Sequence, residues 1–175
     1  MTAGYERFGT VAGVLQRAAE LSPRTLIVDI EPLVAWWDGG QEALDSGVAS
    51  IVGQLGGLAG LSVLCFSTNS ARRPSRVPAG AAAQVVYLAS AGKPLQIGPY
   101  RSLPAPGVVI GDQLLTDGIL ARRLGYTFLH YCPDVGGMPM GPRLLRYGGQ
   151  PLLPFVFPGS RSSGGNSVDH RAPSD

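Results

Sequence analysis

Unbroken apolar runs alternate along the chain with stretches in which apolar residues recur every third or fourth position. The first run, Leu26–Val28, ends at Asp29, and Glu31 and the breaker Pro32 follow at once. Similar runs occupy Leu61–Phe66, Gln84–Leu88, Gly107–Ile110 and Tyr126–Cys132. Aliphatic runs of strand length bounded by breakers predict strands buried on both faces. Between them, Val11, Val14, Leu15, Ala18, Ala19 and Leu21 fall at helical spacing. That spacing predicts a helix over residues 10–21, with Thr10 as a candidate cap and Pro23 beyond its end. Residues 41–59 and 118–124 predict two more helices. The first of these holds Gly47, Gly53, Gly56 and Gly57. Each weakens a helix by up to ~1 kcal/mol against Ala, so close packing on a neighbour is the expected reason for them.

Strands alternating with helices predict an α/β fold, and right-handed crossovers make it a doubly wound parallel sheet of five strands with helices on both faces. The 175 residues, 45% of them hydrophobic, suit one domain, assigned to residues 1–157. Residues 158–175 are rich in Ser, Gly and charge and are expected to form a flexible tail. A formal charge of +2 with scattered basic residues argues against nucleic acid as a partner. No apolar run reaches membrane-spanning length, and Glu6 and Arg7 precede the first helix where a signal sequence would be apolar, so a cytoplasmic location is expected. Cys65 and Cys132 lie in strand patterns and read as reduced core residues, and His130 and His170 make no zinc spacing with them.

Chemistry enters where the strands stop. The first run delivers Asp29 and Glu31, and the second Ser67-Thr68-Asn69-Ser70 followed by Arg72, Arg73 and Arg76. The third leads to Lys93, the only Lys among fourteen basic residues, and the fourth to Gly111-Asp112 and then Asp117. Each has a plain structural reading. Asp29 can start a turn, the Ser/Thr/Asn cluster can be one, the arginines can be a solvated face, and Thr116 or Asp117 can cap a helix. His130 reads as a core or edge histidine, and Trp36–Trp37 as packing residues more than a substrate platform. Parallel sheets, however, bind ligands at the C-terminal edge of their strands, and four successive strands bring polar groups to that edge. Asp112 and Asp117 are hard oxygen donors suited to magnesium, and Ser67 to Ser70 offer hydroxyls and N–H groups to an anion.

In this order the groups resemble the four motifs of the haloacid dehalogenase-like (HAD) phosphohydrolases, over roughly residues 10–132. The stretch Val109-Ile110-Gly111-Asp112-Gln113-Leu114-Leu115-Thr116-Asp117, with Arg123-Leu124-Gly125 beyond, looks most like the bacterial and mitochondrial phosphatidylglycerophosphate phosphatase branch. Receiver domains use a similar residue set, but with the acidic pair on the first strand and Lys after the last. The HAD resemblance implies strand order 3-2-1-4-5 with Asp29 on the central strand, which keeps Cys65 and Cys132 too far apart for a disulfide.

The resemblance also implies roles. Asp29 would be the nucleophile, and Mg2+ would be held by Asp29, Asp112 and the backbone carbonyl of Glu31, with Asp117 holding it through water or positioning its ligands. Ser67, Thr68, Asn69 and Lys93 would hold the phosphoryl group, and Lys93 would keep Asp29 ionised. Glu31 stands where the family has an Asp acid–base and Leu33 where it has Thr. The extra methylene of Glu31 moves its carboxyl by more than ~1 Å, and a misplacement of that size can cost ~100-fold in rate. Two functions therefore stay open: a magnesium-dependent phosphomonoesterase, or a degenerate domain that binds magnesium and a phosphorylated ligand or protein partner. The short stretch Pro32–Gly60 leaves no room for a folded cap, so the expected site is open to a bulky substrate such as a phospholipid head group. The strip Leu152–Phe157 near Arg143, Arg146 and Arg161 adds the expectation of weak peripheral membrane contact, with core packing as its plainer use.

Overall fold

The computed structural model describes residues 3–78, 82–133 and 140–158. The chain runs β1 (Tyr5–Phe8), α1 (Val11–Glu20), β2 (Thr25–Asp29), α2 (Gln41–Leu55), β3 (Val63–Ser67) and β4 (Gln84–Leu88). It continues through β5 (Gly107–Gly111), α3 (Ile119–Leu124), β6 (Thr127–Tyr131), α4 (Met140–Gly149) and α5 (Leu153–Val156). All strand pairs are parallel, in one six-stranded sheet of order β1-β6-β5-β2-β3-β4. The expected count of five is thus corrected to six. The added strand, Tyr5-Glu6-Arg7-Phe8, carries two charges in four residues and has no aliphatic run to mark it. It forms at the sheet edge, where backbone pairing with β6 suffices and Glu6 reaches out to an ion pair with Arg17 of α1 at 2.8 Å.

Side chains alternate across the sheet and build a core on each face. Leu26, Val28, Leu64, Phe66 and Ile110 pack with Val14 and Ala18 of α1 and with Leu44, Val48 and Ile51 of α2. On the other face Ile27, Cys65, Val109 and Phe128 pack with Leu120 and Ala121 of α3 and with Phe157. Strand β2 is central and buried at all five positions. Helix α1 begins as its sequence predicts, with the Thr10 hydroxyl accepting from Gly13 N–H at 3.2 Å.

Helix α2 stops four residues short of its expected end, with Gly56 at its C-terminal cap, where the Gly56 N–H still bonds Val52 O at 2.8 Å. Of Gly47 and Gly53, the glycines inside the observed helix, only Gly47 is explained by close packing. A Cβ there would lie 2.1 Å from the carbonyl oxygen of Val34, whereas one at Gly53 would meet nothing within 4 Å. Helix α3 starts one residue later than predicted. Before it, Leu114–Gly118 forms a wider π-type turn in which Gln113 O accepts from both Asp117 N–H and Gly118 N–H.

Cys65 is buried and Cys132 half-buried. Among the described residues no helix is long and apolar enough to cross a membrane. Residues 159–175 of the expected tail, with Arg161, and the side chains of Arg143 and Arg146 lie outside the described residues. In the apolar strip, Phe157 stacks on Phe128 and belongs to the core, while Phe155 is exposed.

Candidate active site

Because all strands run the same way, the C-terminal ends of β2, β3, β4 and β5 lie along one edge. Asp29 is the last residue of β2 and pairs in register with Ser67, the last of β3. Asp112 follows β5 directly, and the turn after it carries Asp117 back over the edge. Gly111 permits that return, since a Cβ on it would come within 2.4 Å of the Asp117 carboxyl. Asp29, Asp112 and Asp117 are all buried, and each offers a carboxylate oxygen within 4.8 Å of the others. They form an acidic cluster able to hold a metal ion.

Lys93 reaches into this cluster from the loop after β4. Its Nζ donates to Asp29 Oδ1 and Asp117 Oδ1, both at 2.7 Å, and to Ser67 O at 3.3 Å. Burial disfavours its ammonium, but Asp117 and Asp29 overcome that and hold its pKa above the ordinary lysine value. Asp29 is pushed well above the usual carboxylate range, first by burial and then by Asp117, with Asp112 adding to the effect and Lys93 opposing it. Lys93 sets its one ammonium beside three buried carboxylates, in direct contact with two of them. A divalent ion fits such a set of hard oxygen donors and would relieve the repulsion that raises Asp29.

The remaining predicted residues divide by what their side chains touch. Thr68 and Ser70 line a cavity of about 250 Å3 together with Asp29, Glu31, Lys93 and Trp37. Asn69 lines it too, and both ends of its amide are engaged, accepting from Lys93 N–H at 2.8 Å and donating to Lys93 O at 3.0 Å. It sets the backbone from which Lys93 projects. Ser67 is buried outside the cavity lining, its hydroxyl 2.5 Å from the Tyr100 hydroxyl. Glu31 accepts at both oxygens: Oε2 from Thr68 Oγ1 at 2.7 Å, and Oε1 from Ser70 Oγ and Arg72 Nη1, each at 3.3 Å. Leu33 is buried in the core of the α1–α2 face. Of the three arginines, Arg72 turns inward to Glu31, while Arg73 and Arg76 are exposed.

Four residues join the site that no motif announces. His130 donates through Nε2 to the carbonyl of Asp112 at 2.9 Å, and its Nδ1 shares a hydrogen bond with the Tyr5 hydroxyl at 2.9 Å. The core histidine of the sequence reading is therefore buried as expected, but it also fixes the backbone of a cluster residue. Its signal is the register between β5 and β6, which sets Gly111 against His130. Tyr100 and Arg72 meet Ser67 and Glu31 across 33 and 41 residues of chain, separations that leave no spacing pattern. The tryptophan pair is not core: Trp36 is 43% exposed, and Trp37, half-buried, lines the cavity. No family model, curated protein or solved structure matches this chain.

Proposed function

We propose that the chain is a magnesium-dependent phosphomonoesterase of HAD type, working through an aspartyl-phosphate on Asp29. The observation that carries this reading is the Lys93 ammonium, 2.7 Å from both Asp29 and Asp117, inside a buried three-carboxylate cluster at the C-terminal sheet edge. A lysine so placed stabilises charge on a nucleophilic carboxylate and on a phosphoryl group beside it. Asp29, Asp112, Asp117 and the backbone carbonyl of Glu31 would hold magnesium. That ion, when bound, neutralises phosphate charge so that an anionic nucleophile can approach.

Asp29 attacks phosphorus and forms the new O–P bond as the ester O–P bond breaks, and Glu31 gives the leaving oxygen its proton. Water then attacks the phosphorus of the aspartyl-phosphate, Glu31 takes the water proton, and phosphate leaves Asp29 as a carboxylate. Thr68, Ser70 and backbone N–H groups of their turn hold the phosphoryl oxygens, while Ser67 and Tyr100 support the strand end behind them.

A second reading is favoured by one observation. Both oxygens of Glu31 are tied to Thr68, Ser70 and Arg72, which suits an anchor as well as it suits a proton carrier. On that reading the domain binds magnesium and a phosphorylated ligand or protein partner with negligible turnover. Phosphate release from an aryl phosphate and from phosphatidylglycerophosphate, with magnesium or chelator, separates the two. Magnesium-dependent release that Asp29→Asn abolishes supports the enzyme. No release from wild type, with activity gained in Glu31→Asp, supports the binding domain. Release that survives both chelation and Asp29→Asn sinks both.

A further inference from the structure

We infer that the loop of residues 36–40 is the specificity wall of this site, and that Trp37 selects phosphorylated ligands bearing a planar aromatic group beside the phosphoryl oxygen. This rests on the phosphate-binding reading of the cavity given above. Around Asp29, the cavity is lined by Glu31, Lys93, Thr68 and Ser70, all polar, and Trp37 is the one aromatic among the described lining residues. An anion seated on the polar side therefore has a single large apolar surface to meet. The Trp36 ring backs that surface, edge-on to Trp37 with centroids 5.6 Å apart at 63°.

The wall is fastened in place by Arg72. Its Nη1 donates to Trp36 O at 2.9 Å and its Nη2 to Gly39 O at 2.6 Å, and Nη1 also reaches Glu31 Oε1 at 3.3 Å. Gly39 N–H closes the turn on Trp36 O at 3.0 Å. Arg72 is itself held: its carbonyl accepts from the Tyr87 hydroxyl at 3.1 Å, and its N–H donates to Ser70 Oγ at 3.3 Å. Arg72 thus ties the Trp37 loop to Glu31 through its guanidinium, and its backbone N–H joins it to the turn that carries Thr68 and Ser70. A rigid fork of donors is suited to this task, and a wall ordered before binding spares the ligand the entropy of ordering it. At about 250 Å3 the cavity is smaller than the pockets that enclose whole drug-sized ligands, so a phosphoryl group and one adjoining ring match it.

The test is calorimetric titration of the full chain in magnesium with phenylphosphonate and with methylphosphonate, whose carbon–phosphorus bonds resist hydrolysis. Wild type is expected to prefer the phenyl compound by roughly tenfold, the size of one aromatic stacking contact. Trp37→Ala should lose that preference and Trp37→Phe keep most of it, with a cooperative unfolding transition showing that each variant is folded. Equal binding of the two compounds by wild type, or a phenyl preference that survives Trp37→Ala, overturns the wall while leaving the phosphate site standing. Binding of neither compound overturns the phosphate-site reading, and the wall with it.

Discussion

Lys93 is the residue on which the cluster depends, because it is the only cation in direct contact with Asp29 and Asp117 among the described residues. Its side chain is only 2% exposed, so water does little to screen the charges it offsets. Removing one partner of a buried ion pair leaves an uncompensated charge and typically destabilises by about 3–5 kcal/mol. Lys93→Met keeps the length and bulk of the side chain and is expected to lower stability by that amount in chelator, measured by urea unfolding. Adding Asp117→Asn to Lys93→Met should recover part of the loss, since it removes one of the stranded carboxylates. A Lys93→Met protein as stable as wild type would mean that the ammonium does not neutralise the cluster. Cys65 offers a contrast at the same scale: burial pushes its thiol up to about 12, so it is an inert core residue despite lying one strand from Asp29.

At the scale of elements, the glycines of α2 separate two causes that look alike in the sequence. In an exposed helix interior, Gly→Ala normally stabilises by up to ~1 kcal/mol. Gly53→Ala should do so, because Gly53 is exposed and a Cβ there meets nothing within 4 Å. Gly47→Ala should destabilise by about 1–3 kcal/mol, because its Cβ would run into the Val34 carbonyl and push the β2–α2 loop outward. Thermal unfolding of the two single variants checks the opposite signs, and a stabilised Gly47→Ala would show that the loop yields freely.

The same elements show what the sequence makes legible. Aliphatic runs marked the central strands within two residues at each end, and the breakers after them marked where Asp29, Lys93 and Asp112 emerge. β1 was not legible, since an edge strand needs no buried face and Glu6 and Arg7 break any apolar pattern. The π-type turn at Leu114–Gly118 was not either, because its geometry is set by two donors sharing Gln113 O and leaves no residue signature. The Glu31–Arg72 and Ser67–Tyr100 contacts form only after the sheet edge has assembled, so spacing along the chain carries no trace of them.

For the whole molecule, the buried cluster couples folding to pH. The pKa of Asp29 is raised in the folded chain, so between its ordinary value near ~4 and its folded value the native state binds more protons than the unfolded state. Stability from this group is present below ~pH 4 and is lost as pH rises through the folded pKa. Lys93, also raised, contributes stability that is lost only above its own ordinary value near ~10.4, outside this window. Asp45, whose pKa is lowered by hydrogen bonds from Ser75, acts in the opposite sense: its stability is present above ~pH 4 and is lost as pH falls below that. Above ~pH 4 the chelated protein is therefore expected to lose stability as pH rises, with Asp29 as the source.

Magnesium binds the carboxylate form, so on the proposed reading its stabilising effect should grow across the same window. At a hundredfold excess over its Kd, that effect is about 2.7 kcal/mol. Urea unfolding in chelator and in magnesium, from mildly acidic to mildly alkaline pH, should give two curves that diverge as pH rises. Asp29→Asn should flatten the chelator curve and shrink the gap between the two. Curves that coincide at every pH would mean that the buried cluster binds no magnesium and that its carboxylates serve Lys93 alone.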